Sequence, residues 1–324
     1  MNNLNSLLSQ VKSLFAEEPF LFEPQGLYAP IDYTLSLGGK RIRPVMLMAA
    51  CEMFGGQPQE VRHAALAIET FHNFTLLHDD LMDRSPLRRG MPTVYTKWGD
   101  NTAILSGDTM IALAWRYLLR ESHPQLQTIL NTFNETAIEV FEGQQYDMEF
   151  EQRNDVSVEE YLEMIRLKTA VLLAGALKMG ALYANAPATE VQRLYDWGIH
   201  IGLAFQLQDD LLDAYGDTQT FGKQTGTDIK DNKKTFLYLT AIAQANNEQR
   251  SRLLALFATT PSDPTSKIAE VLDIYSALHI KDLTEQAIER EFSLAADALA
   301  AIALPDERKA TLRELAAALL GRER

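Results

Sequence analysis

Apolar positions along this chain recur at spacings of three and four residues, and strict strand-like alternation is scarce. That pattern predicts helices over 41–54, 59–83, 98–121, 124–152, 158–184, 188–216, 231–246, 266–303 and 306–321. Segments 170–183 and 197–207 are apolar over most of their circumference, as expected of helices in the middle of a bundle. Ser157-Val-Glu-Glu160 has the form of a capping box, in which the serine and the third glutamate satisfy each other's backbone donors. Pro187-Ala-Thr-Glu190 and Pro305-Asp-Glu open two further helices, with proline in the first turn. Turns are expected at Gly55–Pro58, at Arg84-Ser-Pro86 with Gly90, and at Gly222–Gly226. No low-complexity linker and no fixed-period repeat divides the chain. The expectation is therefore an all-α fold in one large domain, residues 1–324.

Composition narrows the function. Thirty basic and 44 acidic residues among 324 give a formal charge of −14, which argues against nucleic acid as the default partner. A local basic cluster or a metal ion can still reverse the field at one site. The single cysteine, Cys51, excludes an internal disulfide framework and any CxxC site, and it fits a reducing, cytoplasmic compartment. The longest lysine-free apolar stretch, 170–177, ends at Lys178 and is too short to span a bilayer. The first residues lack the basic start and long apolar run of a signal peptide.

Two acidic clusters dominate the chemistry: His78-Asp79-Asp80-Leu-Met-Asp83 and Gln208-Asp209-Asp210-Leu-Leu-Asp213. Both have the form DDxxD, and each falls at the end of an apolar helical stretch. Carboxylates four residues apart share a helix face, repel, and call for a counter-charge. Magnesium suits the donor set, because it binds carboxylate oxygen and fills its remaining positions with water and phosphate oxygen. An EF-hand fails on spacing and glycine, a zinc site on ligand type, and a di-iron bundle on the missing Glu-x-x-His pairs.

Basic residues bracket the aspartates. Lys40 and Arg43 lie in Gly38-Gly-Lys-Arg-Ile-Arg-Pro44, and Arg88-Arg89 follow the first cluster. Lys168-Thr169 sit within an apolar helix, and Lys223 and Lys233 follow the second cluster. Arginine pairs and helix starts bind phosphate readily. His72, seven residues before Asp79, faces the same way about 10 Å lower. It is either a donor to a second phosphate or a core histidine.

Together, GGKRIRP, HNFTLLHDDLMDRSPLRRGMPT and FQLQDDLLDAYGD with GKQTGTDIKDNKK resemble the trans-isoprenyl diphosphate synthases, in order from about Gly38 to Lys234. Trp98–Asp108 and Gly143-Gln144 with Asp147 match as well. The resemblance implies the isoprenoid synthase type of helical bundle with a central cavity, a homodimer, and Mg2+ as cofactor. It implies condensation of isopentenyl diphosphate, head to tail, with dimethylallyl, geranyl or farnesyl diphosphate. By that resemblance Asp79 and Asp83 hold magnesium on one side of the allylic diphosphate, and Asp209 holds an ion on the other. Arg88, Lys168 and Lys223 match allylic diphosphate binders, with Thr169, Gln206 and Lys233 in support. Lys233 rather than Lys234 is chosen by its spacing. Lys40, Arg43, His72 and Arg89 match isopentenyl diphosphate binders.

Product length follows from the residues before the first cluster. Phe74 lies five positions before Asp79, about 7.5 Å down the helix, where the family uses an aromatic as the floor of the cavity. Thr75 is small where many farnesyl synthases carry a second aromatic. The pair resembles the geranylgeranyl pattern, so C20 is expected ahead of C15, with longer chains third. A class I terpene cyclase would carry a different second metal motif, and a regulatory subunit would have lost aspartates. A head-to-head synthase has a different pattern.

Overall fold

The computed structural model describes residues 3–120, 122–216 and 225–321. Helices α1 (Asn3–Glu17), α2 (Gln25–Ser36), α3 (Ile42–Met53) and α4 (Arg62–Met82) come first. A two-residue hairpin follows, β1 (Leu87–Arg88) against β2 (Met91–Pro92). Next are α5 (Val94–Trp98), α6 (Asp100–Leu118), α7 (Leu126–Gln152), α8 (Val158–Ile165), a π-helical turn (Arg166–Ala170), α9 (Val171–Tyr183) and α10 (Ala188–Tyr215). The chain closes with α11 (Thr227–Lys230), α12 (Phe236–Gln244), α13 (Asn247–Phe257), α14 (Thr265–Ala277), α15 (Ile280–Ala300) and α16 (Asp306–Leu320). The fold is all-α, and the hairpin is its only sheet among the described residues.

Two compact units make up the chain. The first comprises Met1–Asn134, Gly175–Gln192 and Leu304–Glu314. Its core is built on α3, where every residue from Pro44 to Cys51 is buried, and on α4, buried from Ala64 to Phe71. The second comprises Glu135–Ala174, Arg193–Ala303 and Leu315–Arg324. Its core joins Phe150, Tyr161, Leu207, Phe236, Tyr238 and Tyr275. Each such side chain contributes roughly 1.5–3 kcal/mol by leaving water.

The predicted helices are present, with corrections at their ends. The Ser157 capping box forms, with Glu160 N donating to Ser157 Oγ at 3.1 Å and Ser157 N to Glu160 Oε2 at 2.8 Å. Pro187 and Pro305 stand one residue before their helices, not in the first turn. The stretch expected as one helix over 266–303 breaks at His279, whose φ of 55° no helix interior tolerates. Segment 231–246 becomes helical only at Phe236, because Asn232, at φ 60°, makes a turn first. Helices α1, α2 and α13 were not expected. Their buried stripes are thin: Leu7 and Val11 in α1, and Leu253 and Leu256 in α13. Pro30 inside α2 further blurs the period.

Candidate active site

The first acidic cluster ends α4, and the backbone explains why the helix stops there. Arg84 takes a left-handed conformation at φ 52°. Its N–H donates to Leu81 O at 3.4 Å, and Ser85 N donates to Asp80 O at 3.0 Å. These two bonds form a Schellman closure of the last turn. The three aspartates then part ways. Asp83 is exposed and caps the helix, Asp79 is half-buried, and Asp80 is turned inward at 5% exposure. Asp80 is ion-paired with Arg88, whose Nε lies 2.8 and 2.9 Å from its two oxygens and whose Nη2 lies 2.8 Å from Oδ1. Burial raises the Asp80 pKa, and the Arg88 hydrogen bonds and charge oppose that shift.

Arg88 ends β1, and the turn that follows it sets Arg89. Arg89 and Gly90 both have positive φ, 55° and 77°, as a two-residue type I′ hairpin requires. Tyr33 Oη pins the return strand by donating to Pro92 O at 2.7 Å. The Arg89 guanidinium lies against the glycine pair, with Nη1 donating to Gly38 O. A Cβ on Gly39 would come within 2.7 Å of Arg89 Nη2, and its φ is 135°, so only glycine fits there.

Behind Arg89 lies a second layer of charge. Arg41 is buried, ion-paired with Glu69 at 2.7 Å, while Asn73 Nδ2 donates to Glu69 Oε1 at 3.1 Å. Lys40 is exposed, and Arg43 Nη1 lies 3.0 Å from His72 Nε2. Guanidinium can only donate, so His72 Nε2 is the acceptor. Burial, then the charges of Arg43, Arg89, Arg88 and Arg41, hold the imidazole well below its usual pKa, so the ring is neutral. The sequence left His72 open between phosphate donor and core residue. Its Nε2 orients Arg43, and a donor role falls to Nδ1–H. Burial also lowers Arg43 to about 10, opposed by the Glu69 charge, and it remains a cation at neutral pH.

Phe74 is 4% exposed and belongs to an aromatic column. Its ring lies 5.6 Å from Phe71 and 4.7 Å from the His78 ring, and Phe71 continues to Phe133 at 5.4 Å. Thr75 Oγ1 donates back to His72 O at 2.8 Å.

The second cluster lies in the other unit, near the end of α10. Asp209 is half-buried, and Asp210, like Asp80, is turned inward at 5% exposure. Its partners are neutral. Tyr161 Oη donates to Oδ2, and Gln206 Nε2 donates to Oδ1 at 3.1 Å. Burial, with the Asp228 charge, pushes the Asp210 pKa well above the carboxylate range. Gln206 Oε1 accepts from Thr169 Oγ1 at 3.1 Å, so Thr169, Gln206, Asp210 and Tyr161 form one chain of hydrogen bonds. Asp213 accepts from Asp228 N at 2.9 Å and so ties α11 to the end of α10. Burial, then the Asp213 charge, raises Asp228 to about 7.

Lys168 and Thr169 sit on the π-helical turn, which widens the backbone locally. Gly143 of α7 allows that bulge to pack closely, since a Cβ there would lie 2.3 Å from Lys168 N. One turn further along α7, Asp147 Oδ2 meets Lys168 Nζ at 2.6 Å. Lys234 Nζ donates to Phe150 O at 2.9 Å, to Glu151 O at 3.1 Å and to Arg153 O. Its three donors are used in capping α7, and it lines the same cavity as Lys233. Lys168, Thr169, Gln206, Asp209 and Lys233 line one cavity of about 190 Å³, together with Asp147, Asp210 and Asp228. Lys223 lies outside the described residues. Sequence reasoning missed Tyr161 and Asp228. Asp228 had a signal in its place after the glycine turn, whereas Tyr161 is 49 residues from Asp210 and had none.

Residues 24–275 match the family model described as polyprenyl synthetase. The chain belongs to the polyprenyl synthetase family. It is 36% identical over 290 residues to a short chain isoprenyl diphosphate synthase of Methanothermobacter thermautotrophicus, covering 86% of this chain and 89% of the relative. A crystal structure of a geranylgeranyl pyrophosphate synthase superposes with a TM-score of 0.92 at 43% identity, over 100% of both chains. The geranylgeranyl pyrophosphate synthase of Corynebacterium glutamicum, solved with isoprenyl diphosphate and magnesium, gives 0.87 at 28% identity, covering 99% of this chain and 98% of that one. The protein is thus a prenyltransferase of the all-α isoprenoid synthase fold. Among the described residues no helix is long and apolar enough to cross a membrane.

Proposed function

We propose that this synthase joins isopentenyl diphosphate head to tail with an allylic diphosphate and releases mainly the C20 product, geranylgeranyl diphosphate. The observation that carries the reading is the division of anion-binding groups. One unit holds an arginine cluster braced by neutral His72, and the other holds a lysine- and aspartate-lined cavity. Two diphosphate substrates need two such sites. Arg43, Arg89 and Lys40, with His72 orienting Arg43, would hold isopentenyl diphosphate. Lys168, Thr169, Gln206 and Lys233, joined by Lys223 on the family resemblance, would hold the allylic diphosphate. The chain acts as one synthase domain in the cytoplasm.

The donor chemistry fits magnesium. The second cluster carries Asp209, Asp210, Asp213 and Asp228, and burial first, then neighbouring aspartate charge, raises the pKa of Asp210 and of Asp228. Magnesium commonly takes one or two carboxylates and completes its shell with water and phosphate oxygen. By the family resemblance Asp79 and Asp83 would hold one such ion, and Asp209 another. When bound, the metal neutralises charge that builds on the departing diphosphate.

The chain's own groups do the rest. Lys168 would present a fixed cation to the leaving diphosphate, so that the C–O bond breaks toward positive charge already in place. The isopentenyl double bond then attacks the allylic cation, and a proton leaves to form the new double bond, with the departed diphosphate its acceptor. The reaction requires a site that excludes the water that would quench the cation. Phe74, with small Thr75 beside it, closes the growing chain's path at C20.

A homodimer is part of this reading, supported by Ile104 and Leu105 on α6, which expose apolar side chains at 46% and 58%. Incubation with isopentenyl diphosphate and each of the three allylic primers, followed by sizing of the products, tests the proposal. A dominant C20 product is expected. A dominant C15 or longer product overturns the length reading, and no condensation overturns the reaction.

A further inference from the structure

One buried cation takes no part in the reading above. Lys267, on α14, is 3% exposed. Its ammonium donates to Asn232 Oδ1, to Thr259 O at 3.1 Å and to Lys230 O at 3.4 Å, and it lies 5.3 Å from the centre of the Phe257 ring. All three N–H groups are spent on uncharged acceptors, and among the described residues no carboxylate hydrogen-bonds it. Burying an ammonium in this way is costly, and an apolar side chain of similar length would fill the space more cheaply. What the lysine contributes is the shape of the segment it holds.

That segment is the turn between α11 and α12. Asn232 sits at φ 60°, a conformation a non-glycine residue adopts only at a cost. Three ties hold it there. Lys267 grips the Asn232 amide oxygen, Asn232 Nδ2 donates to Thr260 Oγ1 at 3.1 Å, and Lys233 N donates to Asp228 O at 2.9 Å. Lys234 anchors the far end to the carbonyls that close α7. The residue between these anchors is Lys233, which lines the cavity with Lys168 and Asp209.

We propose that Lys267 is a positioning residue: with Lys234 it clamps the turn Asp231–Lys234 and thereby fixes Lys233 for the allylic diphosphate. The proposal rests on the assignment of Lys233 to that substrate. Without the clamp, Asn232 relaxes from its left-handed conformation and Lys233 samples several directions. The effect falls on allylic affinity, because nothing in the clamp touches the residues assigned to isopentenyl diphosphate.

The test uses the full-length enzyme with magnesium. Lys267→Met keeps the length and volume of the side chain and removes the donors. Asn232→Gly keeps the positive φ and removes the acceptor, so it breaks the same tie by a gentler route. Both variants are expected to raise KM for the allylic diphosphate about tenfold, the loss of roughly one charge-assisted hydrogen bond, with KM for isopentenyl diphosphate within about twofold of the parent. Inhibition by inorganic pyrophosphate against the allylic substrate weakens in parallel. A merely structural role lowers the thermal midpoint and moves both KM values together or neither. Lys233→Ala, measured beside them, tests the underlying reading. If it raises the allylic KM while Lys267→Met and Asn232→Gly keep parental values, the clamp is overturned and the reading stands. Parental values in all three variants overturn both.

Discussion

Asp80 and Asp210 stand second in two DDxxD motifs of identical form, and both are turned inward at the same 5% exposure. Their partners differ in charge. Asp80 meets the guanidinium of Arg88, while Asp210 meets the hydroxyl of Tyr161 and the amide of Gln206. The first cluster is therefore tied electrostatically to the hairpin that presents Arg88 and Arg89. The second is tied by neutral hydrogen bonds to α8 and, through Gln206, to Thr169 on the π turn. One motif thus serves two arrangements of charge. In the first, a cation on the protein balances the inner carboxylate. In the second, four aspartates lie close together; of the lysines that line the same cavity, Lys168 is paired with Asp147 at 2.6 Å, and the charge of Lys233 acts on Asp228. The second cluster is the one that most needs an external cation.

The largest expected consequence is the response to metal removal. A chelator should lower turnover by about 10³-fold or more, since several kcal/mol of charge stabilisation are lost. Magnesium with inorganic pyrophosphate should raise the thermal midpoint, and Asp209→Ala should abolish most of that rise. Full turnover in chelator would remove the need for an external cation and with it the contrast between the clusters.

Next in size is the stability of the two inner carboxylates. Arg88→Met leaves Asp80 buried without its counter-charge, which costs about 3–5 kcal/mol for a fully buried pair. The Arg88 side chain is 31% exposed, so about 2–3 kcal/mol is expected after solvent screening. Tyr161→Phe removes one neutral bond from Asp210, and about 1 kcal/mol is expected. Urea unfolding of both variants measures the difference. Equal losses would mean that the charge of the partner does not distinguish the clusters.

The two proposed sites should also separate kinetically. Arg89→Ala should raise KM for isopentenyl diphosphate about tenfold, and Lys168→Ala should act chiefly on the allylic substrate. Initial-rate measurements with each substrate varied in turn show whether the effects divide in this way. The same effect on both substrates from both variants would dissolve the assignment.

The smallest effect is the pH dependence contributed by His72. Its pKa in the folded protein lies well below 6.5, so the unfolded chain binds the proton more readily. Its contribution to stability is complete above about pH 6.5 and is lost as the pH falls below that value, at no more than about 1.4 kcal/mol per pH unit. His72→Gln should flatten the fall in unfolding free energy between pH 6.5 and 5. An unchanged slope would mean that His72 is not held neutral by burial and by the arginines around it.

Much of this molecule was legible in its sequence, and the illegible parts share a cause. The helices that carry the clusters announced themselves through apolar periodicity, and the end of α4 fell where DDxxD stops. The order of the motifs pointed to the reaction class. What the pattern could not reveal was which aspartate of each motif turns inward, because i,i+4 spacing fixes a face and not a partner. Asp210 is fixed by Tyr161 and Asp80 by Arg88, contacts that exist only after folding. The π turn under Lys168 was equally hidden, since its sequence reads as ordinary helix and the bulge depends on close approach of Gly143. The break at His279 and the turn at Asn232 are left-handed residues without glycine, so no punctuation marked them.

The claim that joins these observations is a division of labour within each motif. On the proposed function the first aspartate would serve the metal, and the second would serve the fold. Four single substitutions test it most directly: Asp79→Asn, Asp80→Asn, Asp209→Asn and Asp210→Asn, each measured for magnesium activation of turnover and for urea stability. Asp79→Asn and Asp209→Asn should raise the magnesium concentration for half-activation by about tenfold or more at near-parental stability. Asp80→Asn should lose about 1–3 kcal/mol of stability, because Arg88 keeps only a neutral partner, and should need little extra magnesium. Asp210→Asn should likewise leave the magnesium requirement close to the parent's. A large rise in the magnesium requirement for Asp80→Asn or Asp210→Asn, at parental stability, would contradict the account.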